Sequence, residues 1–261
     1  MLEQIFFAAV AFIGGLISVP LGGSFLFVIP AFLFLGLDGI STILLGRVMM
    51  IGSMAAASAE FLRTEKFEFQ KITKFLAGNL AGFFVAAKFL STLDADAVTK
   101  IVPWILFFGA IFLLKNFKVE SEKWKNFYAR TLPIFGFLMG FYGGLGGGGN
   151  GKIILLLFSI ALSFEFKSAL VQTRFVEFFG NIFAVGAYFF FGAKATGFEI
   201  PVLISAAIGG FLGAKIVLQT KPKFLKFAFL ILVLISAVKV TFFNEKSFLF
   251  FKKFFSNFFN F

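Results

Sequence analysis

A run of glycines in the middle of a long apolar stretch most constrains how this chain can fold. Residues 143–151 read GGLGGGGNG and lie within residues 131–164, a stretch whose one charged residue is Lys152. A stretch of 34 residues exceeds the ~20 that one helix needs to cross a bilayer. Glycine destabilises a helix interior by about 1 kcal/mol per residue, so the run predicts a helix break. Lipid tolerates the exposed backbone of such a break only where protein or a polar cavity satisfies it.

The composition is typical of an integral membrane protein. Of the 261 residues, 59% are hydrophobic and 14% are charged. The sequence contains neither Cys nor His, which excludes thiol chemistry and the commonest metal ligands, so no cofactor or metal is expected. The net charge of +11 comes from Lys and Arg between apolar spans, where membrane orientation explains it better than nucleic-acid binding. We therefore expect a multi-pass, non-enzymatic protein of the cell membrane, surrounded by lipid.

Eight apolar blocks follow one another, and their order repeats. The first block, residues 4–37, is interrupted at Pro20, Gly22 and Gly23, and three ordinary blocks follow it. The same order, one broken block and three ordinary ones, begins again at Thr131. The ordinary blocks are each near the length of a membrane span and comprise residues 41–61, 72–93, 98–114, 168–191, 200–216 and 224–243.

The two halves are predicted to be inverted repeats of an all-α membrane protein. Arg47 and Arg174 correspond at an offset of 127, and the glycines of the two breaks at 125. Placing all three Lys- and Arg-rich loops in the cytoplasm requires each broken block to enter and leave on the same side, as a re-entrant helical hairpin or as a pair of full spans. The arms of each broken block, at 14 to 17 residues, are shorter than a bilayer core, which favours the re-entrant form. The three spans that follow make the number of crossings in each half odd, so the second half begins on the opposite side of the membrane. The predicted divisions are a first repeat (1–118), a cytoplasmic linker (119–130), a second repeat (131–243) and an interfacial amphipathic tail (244–261).

The two breaks predict an anion site. If Ser24, as an N-cap, and Asn150 begin half-helices, two positive helix ends point at one central volume. Arg47 and Arg174 lie inside spans, where a cation is costly and is expected to face a polar interior. Glu177 is a candidate either for proton coupling or for a fixed counter-ion of Arg174. The predicted substrate-binding residues are Gly22, Gly23, Ser24, Arg47, Gly147, Gly148, Gly149, Asn150, Lys152, Thr173, Arg174 and Asn181.

Other features have a structural explanation at least as good as a functional one. Single glycines within spans, such as Gly78 and Gly82, let helices pack closely. Residues 1–12 contain no Lys or Arg, so we expect them to belong to the first membrane segment and not to a cleaved signal peptide. The sequence leaves open whether the protein forms a homodimer.

These motifs resemble those of the sulfite exporter TauE/SafE family of bacterial membrane transporters. The resemblance rests on the glycine-rich breaks at residues 22–24 and 146–149 and on the segment 168–174, SALVQTR, and it covers residues 6–240. It implies outward transport of small sulfur-containing or related organic anions across the cytoplasmic membrane, driven by an ion gradient. The first half departs from the pattern, because no polar pair precedes Arg47 and two glycines precede Ser24.

The sequence therefore predicts a secondary transporter that carries a small anion, such as sulfite or a sulfonate, by alternating access. Two alternatives stay open. A passive anion channel would use the same positive pore, and a non-transporting membrane scaffold would use its glycines for packing alone.

Overall fold

The structure, a computed structural model, describes residues 2–21, 24–63, 66–94, 97–98 and 130–219 of the chain. Within these residues the chain forms helices and no strand, which confirms the predicted all-α fold. The helices are α1 (Leu2–Leu21), α2 (Phe25–Phe34), α3 (Gly39–Phe61), α4 (Phe69–Ser91), α5 (Leu132–Gly144), α6 (Asn150–Ala161), α7 (Phe166–Phe190) and α8 (Glu199–Gln219).

Large apolar side chains are exposed on the surface of this bundle, and three charged side chains, those of Arg47, Arg174 and Glu177, are buried inside it. Phe190 is 76% exposed and Ile200 is 74% exposed, whereas Arg174 is 1% exposed. A water-soluble protein has the opposite distribution, and a buried cation among apolar spans is typical of membrane proteins. Four of the described helices, α1, α3, α4 and α8, are long and apolar enough to cross a membrane. The chain is a membrane protein.

Both predicted helix breaks are present. The block 131–164 forms α5 and α6, joined by the glycine run, and the block 4–37 forms α1 and α2. Gly146 and Gly149 have φ angles of +89° and +84°, a conformation that favours glycine and explains its use in this turn. Helices α3, α4, α7 and α8 match the predicted spans to within three residues at each end. The blocks 98–114 and 224–243, the linker and the tail lie outside the described residues, apart from residues 98 and 130.

The predicted arm lengths are wrong, most clearly for α1. Helix α1 has 20 residues, or about 30 Å, and could cross the membrane by itself. It begins at Leu2, with the Glu3 carboxylate near the positive helix end, and it contains Pro20 in its last turn. Helix α1 continues through Pro20, since the missing N–H of a proline in the last turn affects a single hydrogen bond. The other arms, α2, α5 and α6, have 10, 13 and 12 residues.

The helices pack mainly across the two sequence halves. Helix α1 packs against α8, and its counterpart α5 packs against α4. Helix α3 also packs against α8, α4 packs against α7, and α3 meets α7 at the centre. Exchanging the halves maps these contacts onto one another, as expected for two related repeats. The orientation of the repeats across a membrane stays a prediction.

The contact between α4 and α5 depends on glycine. A Cβ on Gly82 would lie 2.6 Å from the backbone nitrogen of Phe141, and one on Gly140 would lie 2.9 Å from the Cα of Asn79. Backbone atoms cannot yield as a flexible side chain can. These glycines therefore bring the two helices into backbone contact, which confirms the packing explanation for Gly78 and Gly82.

Replacing Gly82 with Leu is expected to destabilise the fold by about 3 kcal/mol or more, because the added side chain would force α4 and α5 apart. The matched control is Gly186→Leu, since a Cβ on Gly186 meets no atom within 4 Å. The melting temperature of each purified variant in detergent measures the effect. Equal melting temperatures for the two variants would show that this contact does not need glycine.

Candidate functional site

A buried cavity of about 20 Å³ lies where α2, α3, α4, α6 and α7 meet. Every side chain that lines it is buried within the protein. The lining combines polar and aromatic groups and comprises Ser24, Phe25, Arg47, Met50, Asn79, Phe83, Gly147, Asn150, Ile154, Glu177 and Asn181.

The starts of two short helices reach this cavity. Ser24 and Phe25 mark the start of α2, and Asn150 is the first residue of α6. The first amides of a helix have no partner within that helix, and its N-terminus carries partial positive charge. In α6 the backbone amides of Lys152 and Ile153 both donate to the Gly149 carbonyl. The backbone amides of the residues before Lys152 therefore take no part in the hydrogen bonds within the helix. The geometry therefore favours a negative charge in the cavity.

Ser24 occupies the N-cap position of α2, as predicted, but its side chain does not cap the helix. Its φ and ψ of −57° and −25° are helical, whereas a residue whose side chain caps a helix typically has an extended backbone. The Ser24 hydroxyl donates instead to the Met50 sulfur at 3.5 Å. In α6 the N-cap is Gly149, in the left-handed conformation, and the chain enters the helix without a side-chain cap.

Arg47 places a partly unpaired cation at the cavity. It is 3% exposed, and its Nη1 donates to Oδ1 of Asn181 at 2.9 Å. Its guanidinium carbon lies 4.5 Å from the centre of the Phe25 ring and 5.0 Å from that of Phe83, which are cation–π contacts. The Nε and Nη2 groups have no hydrogen-bond partner among the described residues. Arg47 is therefore held in place while two of its donors stay available.

Arg174 has a different environment. Its Nη1 pairs with Glu177, and its Nη2 donates to the Val19 carbonyl at 2.6 Å. Val19 lies in the last turn of α1, where carbonyls lack helical partners and a cation complements the negative helix end. The pair also lies against Gly151, where a Cβ would be 2.8 Å from Nη1 of Arg174. Arg174 thus joins α1, α6 and α7, and it supplies the counter-ion of Glu177.

The counterpart of the Arg174 to Val19 bond is made by a different residue. At the offset of 125, Val19 corresponds to Gly144, the last residue of α5. The Gly144 carbonyl accepts a hydrogen bond from the Tyr188 hydroxyl and not from Arg47. Tyr188 therefore donates to a carbonyl at the end of α5, as Arg174 does at the end of α1. Arg47 does not make this hydrogen bond.

The structure brings some of the predicted binding residues together and leaves others apart. Ser24, Arg47, Gly147, Asn150 and Asn181 line the cavity, as does Glu177. Thr173 does not line it, since its hydroxyl bonds to the Ala169 carbonyl of its own helix at 2.7 Å. The other predicted residues that are described but do not line the cavity are Gly148, Gly149, Lys152 and Arg174. Gly22 and Gly23 lie outside the described residues.

Sequence reasoning missed part of the lining. Asn79 is 1% exposed in the middle of α4, and its Nδ2 donates to the Gly136 carbonyl at 3.4 Å. An amide in the middle of an apolar span was a usable signal, because such residues face a protein interior. Phe25 and Phe83 carried no such signal, since the chain has 47 phenylalanines. Among the described residues no group of three acidic, His or Cys side chains could hold a metal.

Comparisons with known proteins give a consistent result. The model of the family described as sulfite exporter TauE/SafE matches residues 7–240. ORF9 of Sinorhizobium sp, named a probable membrane transporter protein, is 27% identical over 214 residues, 81% of this chain and 80% of that protein. YfcA of Escherichia coli K12, also named a probable membrane transporter protein, is 25% identical over 243 residues, 91% and 87% of the two chains. No solved structure matches this chain.

Proposed function

This chain belongs to the sulfite exporter TauE/SafE family, and we propose that it exports a small sulfur-containing oxyanion, such as sulfite or a sulfonate, from the bacterial cytoplasm. The observation that carries the proposal is the meeting of two half-helix N-termini and the Arg47 guanidinium at one buried cavity. Both helix ends and the cation favour a negative solute. The relatives named above are membrane transporters by name, which agrees with this activity.

The charges around the cavity support an anion as substrate. Arg174 compensates Glu177 directly, whereas the unpaired donors of Arg47 have no acidic partner among the described residues. A positive charge attracts an anion far more strongly in a buried site than in water, since the surroundings screen the interaction less. An anion would compensate Arg47 and would satisfy donors that are otherwise buried without a partner.

The size of the cavity supports a carrier and not an open channel. A volume of about 20 Å³ accommodates about one water molecule, so an oxyanion of several heavy atoms needs the lining helices to move apart. Alternating access provides such a movement and exposes the site to one side at a time.

Helix packing indicates which parts would move. The most extensive contacts join α1 and α3 to α8, and α4 to α5, so each of these two groups contains helices of both repeats, while α7 packs against both α3 and α4. One apolar cluster is built from α4, α5, α6 and α7, including Phe75 and Phe158, while the larger one is built mainly from α1, α2 and α3 and also includes residues of α4, α7 and α8. We therefore propose that the group of α1, α3 and α8 rocks against the group of α4 and α5, with α7 between them. Rocking of one whole sequence repeat would instead break the glycine contacts between α4 and α5.

Glu177 is our candidate for the coupling of transport to a proton gradient. It is the one acidic residue among those that line the cavity, and it is 6% exposed. A proton on its carboxylate would weaken the pair with Arg174 and would change the charge that the substrate meets. A fixed counter-ion for Arg174 is the alternative, in which transport responds to membrane voltage and not to a pH gradient.

Purified protein is expected to be stabilised by sulfite and by sulfonates. At a ligand concentration of ~100 times the Kd, binding adds about 2.7 kcal/mol of stability, which raises the melting temperature. In proteoliposomes the same anions should show saturable flux that an imposed proton gradient accelerates. A current that rises linearly with voltage would instead identify a channel. Neither flux nor stabilisation with any anion tested would identify a scaffold.

A further inference from the structure

We propose that the cavity binds a monovalent oxyanion that still carries a proton, the chemical class of hydrogen sulfite. Two oxygens of the anion accept from Nε and Nη2 of Arg47, and its proton is donated to Oδ1 of Asn150. The inference rests on the proposed anion transport and goes beyond it, because it assigns the charge and the protonation state of the transported species.

The first part of the inference is the free edge of Arg47. Nε and Nη2 lie side by side on the guanidinium and point two N–H groups in parallel, and neither has a partner among the described residues. Two oxygens on one central atom match this fork, as they do in pairs of Arg with carboxylate. A halide offers a single centre and cannot give both donors a directed bond. The fork therefore selects an oxyanion.

The other groups around the Arg47 guanidinium do not occupy its Nε and Nη2 edge, so a ligand can bind there. The Phe25 and Phe83 rings lie near the guanidinium, at 4.5 and 5.0 Å from its carbon, and Asn181 takes Nη1. Tyr188 bonds to the carbonyl at the end of α5, where the symmetry of the repeats would place Arg47. At the offset of 127, Tyr188 corresponds to Phe61, which has no hydroxyl. The two halves differ at this pair of residues, and the difference frees one arginine and not the other.

The charge balance favours a monoanion. Glu177 is neutralised by Arg174, so the described residues that line the cavity leave one uncompensated positive charge, on Arg47. A monoanion gives a neutral complex in the buried site, whereas a dianion leaves a negative charge without a partner, which is unfavourable away from water.

Asn150 supplies an acceptor for the proton. Its side chain is 9% exposed, it lines the cavity, and its Oδ1 has no hydrogen-bond partner among the described residues. A side-chain carbonyl oxygen only accepts hydrogen bonds. A fully deprotonated oxyanion has no proton to donate and would place its own lone pairs against this oxygen. A protonated oxyanion satisfies Asn150 and Arg47 together.

The pH dependence also involves the protein groups that face the site. Glu177 and Tyr188 on α7 are close enough to Arg47 to interact with its charge, and Arg174 lies beyond Glu177. The residues of α2, α4 and α6 that line the cavity are uncharged. A ligand whose charge does not change with pH separates the titration of these groups from that of the substrate, and methanesulfonate has this property.

The test is the Kd of sulfite and of methanesulfonate for the full-length purified protein, measured by calorimetry at pH 6 and pH 8. For the wild type we expect the apparent Kd of total sulfite to be higher at pH 8 than at pH 6, because a smaller fraction of it is hydrogen sulfite. The change in the Kd of methanesulfonate between the two pH values measures the contribution of the protein groups and is subtracted. Arg47→Lys keeps the charge but lacks the fork, so it should weaken both ligands by about tenfold or more. Asn150→Leu should remove the advantage of sulfite over methanesulfonate at pH 6. Arg63→Lys, at a residue whose side chain is 72% exposed, is the matched control.

The outcomes separate the two proposals. Sulfite binding that strengthens at pH 8, an unchanged Kd in Arg47→Lys, or a preference that persists in Asn150→Leu would overturn the inference and leave anion transport standing. If no anion binds the wild type at either pH, the proposed function itself fails. Sulfite is a suitable test ligand, because hydrogen sulfite and sulfite differ in charge and in protonation, the two properties that the inference assigns.

Discussion

Replacing Arg47 with Met will lower sulfite transport by about 30-fold or more and will leave the melting temperature unchanged or higher. Loss of a charged partner in a buried site costs about 2–5 kcal/mol of binding free energy. Stability should not fall in parallel, because Nε and Nη2 of Arg47 have no hydrogen-bond partner among the described residues, and the bond lost there is the one from Nη1 to Asn181. Replacing buried charged groups with apolar residues of similar volume is often neutral or stabilising.

The measurement is initial flux in proteoliposomes at sulfite concentrations below saturation, beside a melting curve of the same preparation. Met fits the space because the Phe25 and Phe83 rings that now pack near the guanidinium can pack near its thioether. Flux close to that of the wild type would remove Arg47 from the binding site. A loss of flux accompanied by an equal loss of folded protein would make its role structural.

The positions of the helices could be predicted from the sequence, because the signals are local. The glycine run that ends α5 and the apolar lengths of α3, α4, α7 and α8 depend on neighbouring residues alone. The meeting of α2 and α6 at one cavity agrees with the repeat of the two breaks. The predicted arm is shorter than α1 because the helix includes residues 2 and 3 and continues through Pro20, and proline in the last turn disturbs a helix little.

The difference between the two arginines could not be predicted in the same way. Arg47 and Arg174 occupy corresponding positions and both lie inside spans. Their environments diverge because Tyr188 reaches the carbonyl of Gly144, 44 residues away in the chain. That contact depends on how α5 and α7 are placed, and no periodicity of hydrophobic residues encodes it. Asn79 and the two phenylalanines near Arg47 are brought to the site by the same tertiary packing.

The groups of helices that pack most closely do not coincide with the two sequence repeats. An internal duplication suggests that each repeat moves as one body, and the order of the blocks supports the duplication. The backbone contact between α4 and α5, made through Gly82 and Gly140, joins one repeat to the other. Interfaces that place backbone against backbone resist sliding, so a moving group should keep them intact. The moving units are therefore expected to follow packing and not sequence order.

Replacing Arg174 with Met will lower the free energy of unfolding by about 3–5 kcal/mol, in contrast to Arg47→Met. The change leaves the Glu177 carboxylate buried without its cation, and breaking a buried pair on one side costs about this much. It also leaves the Val19 carbonyl at the end of α1 without its donor. Denaturation of the purified variant in detergent micelles, compared with that of the wild type, measures the loss.

Two further variants show whether the loss comes from the unpaired carboxylate. Arg174→Met combined with Glu177→Leu removes both charges, so most of the lost stability should return, since an apolar pair of similar volume is often as stable as the ion pair. The double variant should stay below the wild type by the cost of the Val19 carbonyl alone, about 1–3 kcal/mol. Arg63→Met breaks the surface pair with Glu60 and should cost less than about 1 kcal/mol. If Arg174→Met is no less stable than Arg63→Met, Arg174 does not hold α1 and α7 together, and its guanidinium would have to be reassigned to the substrate.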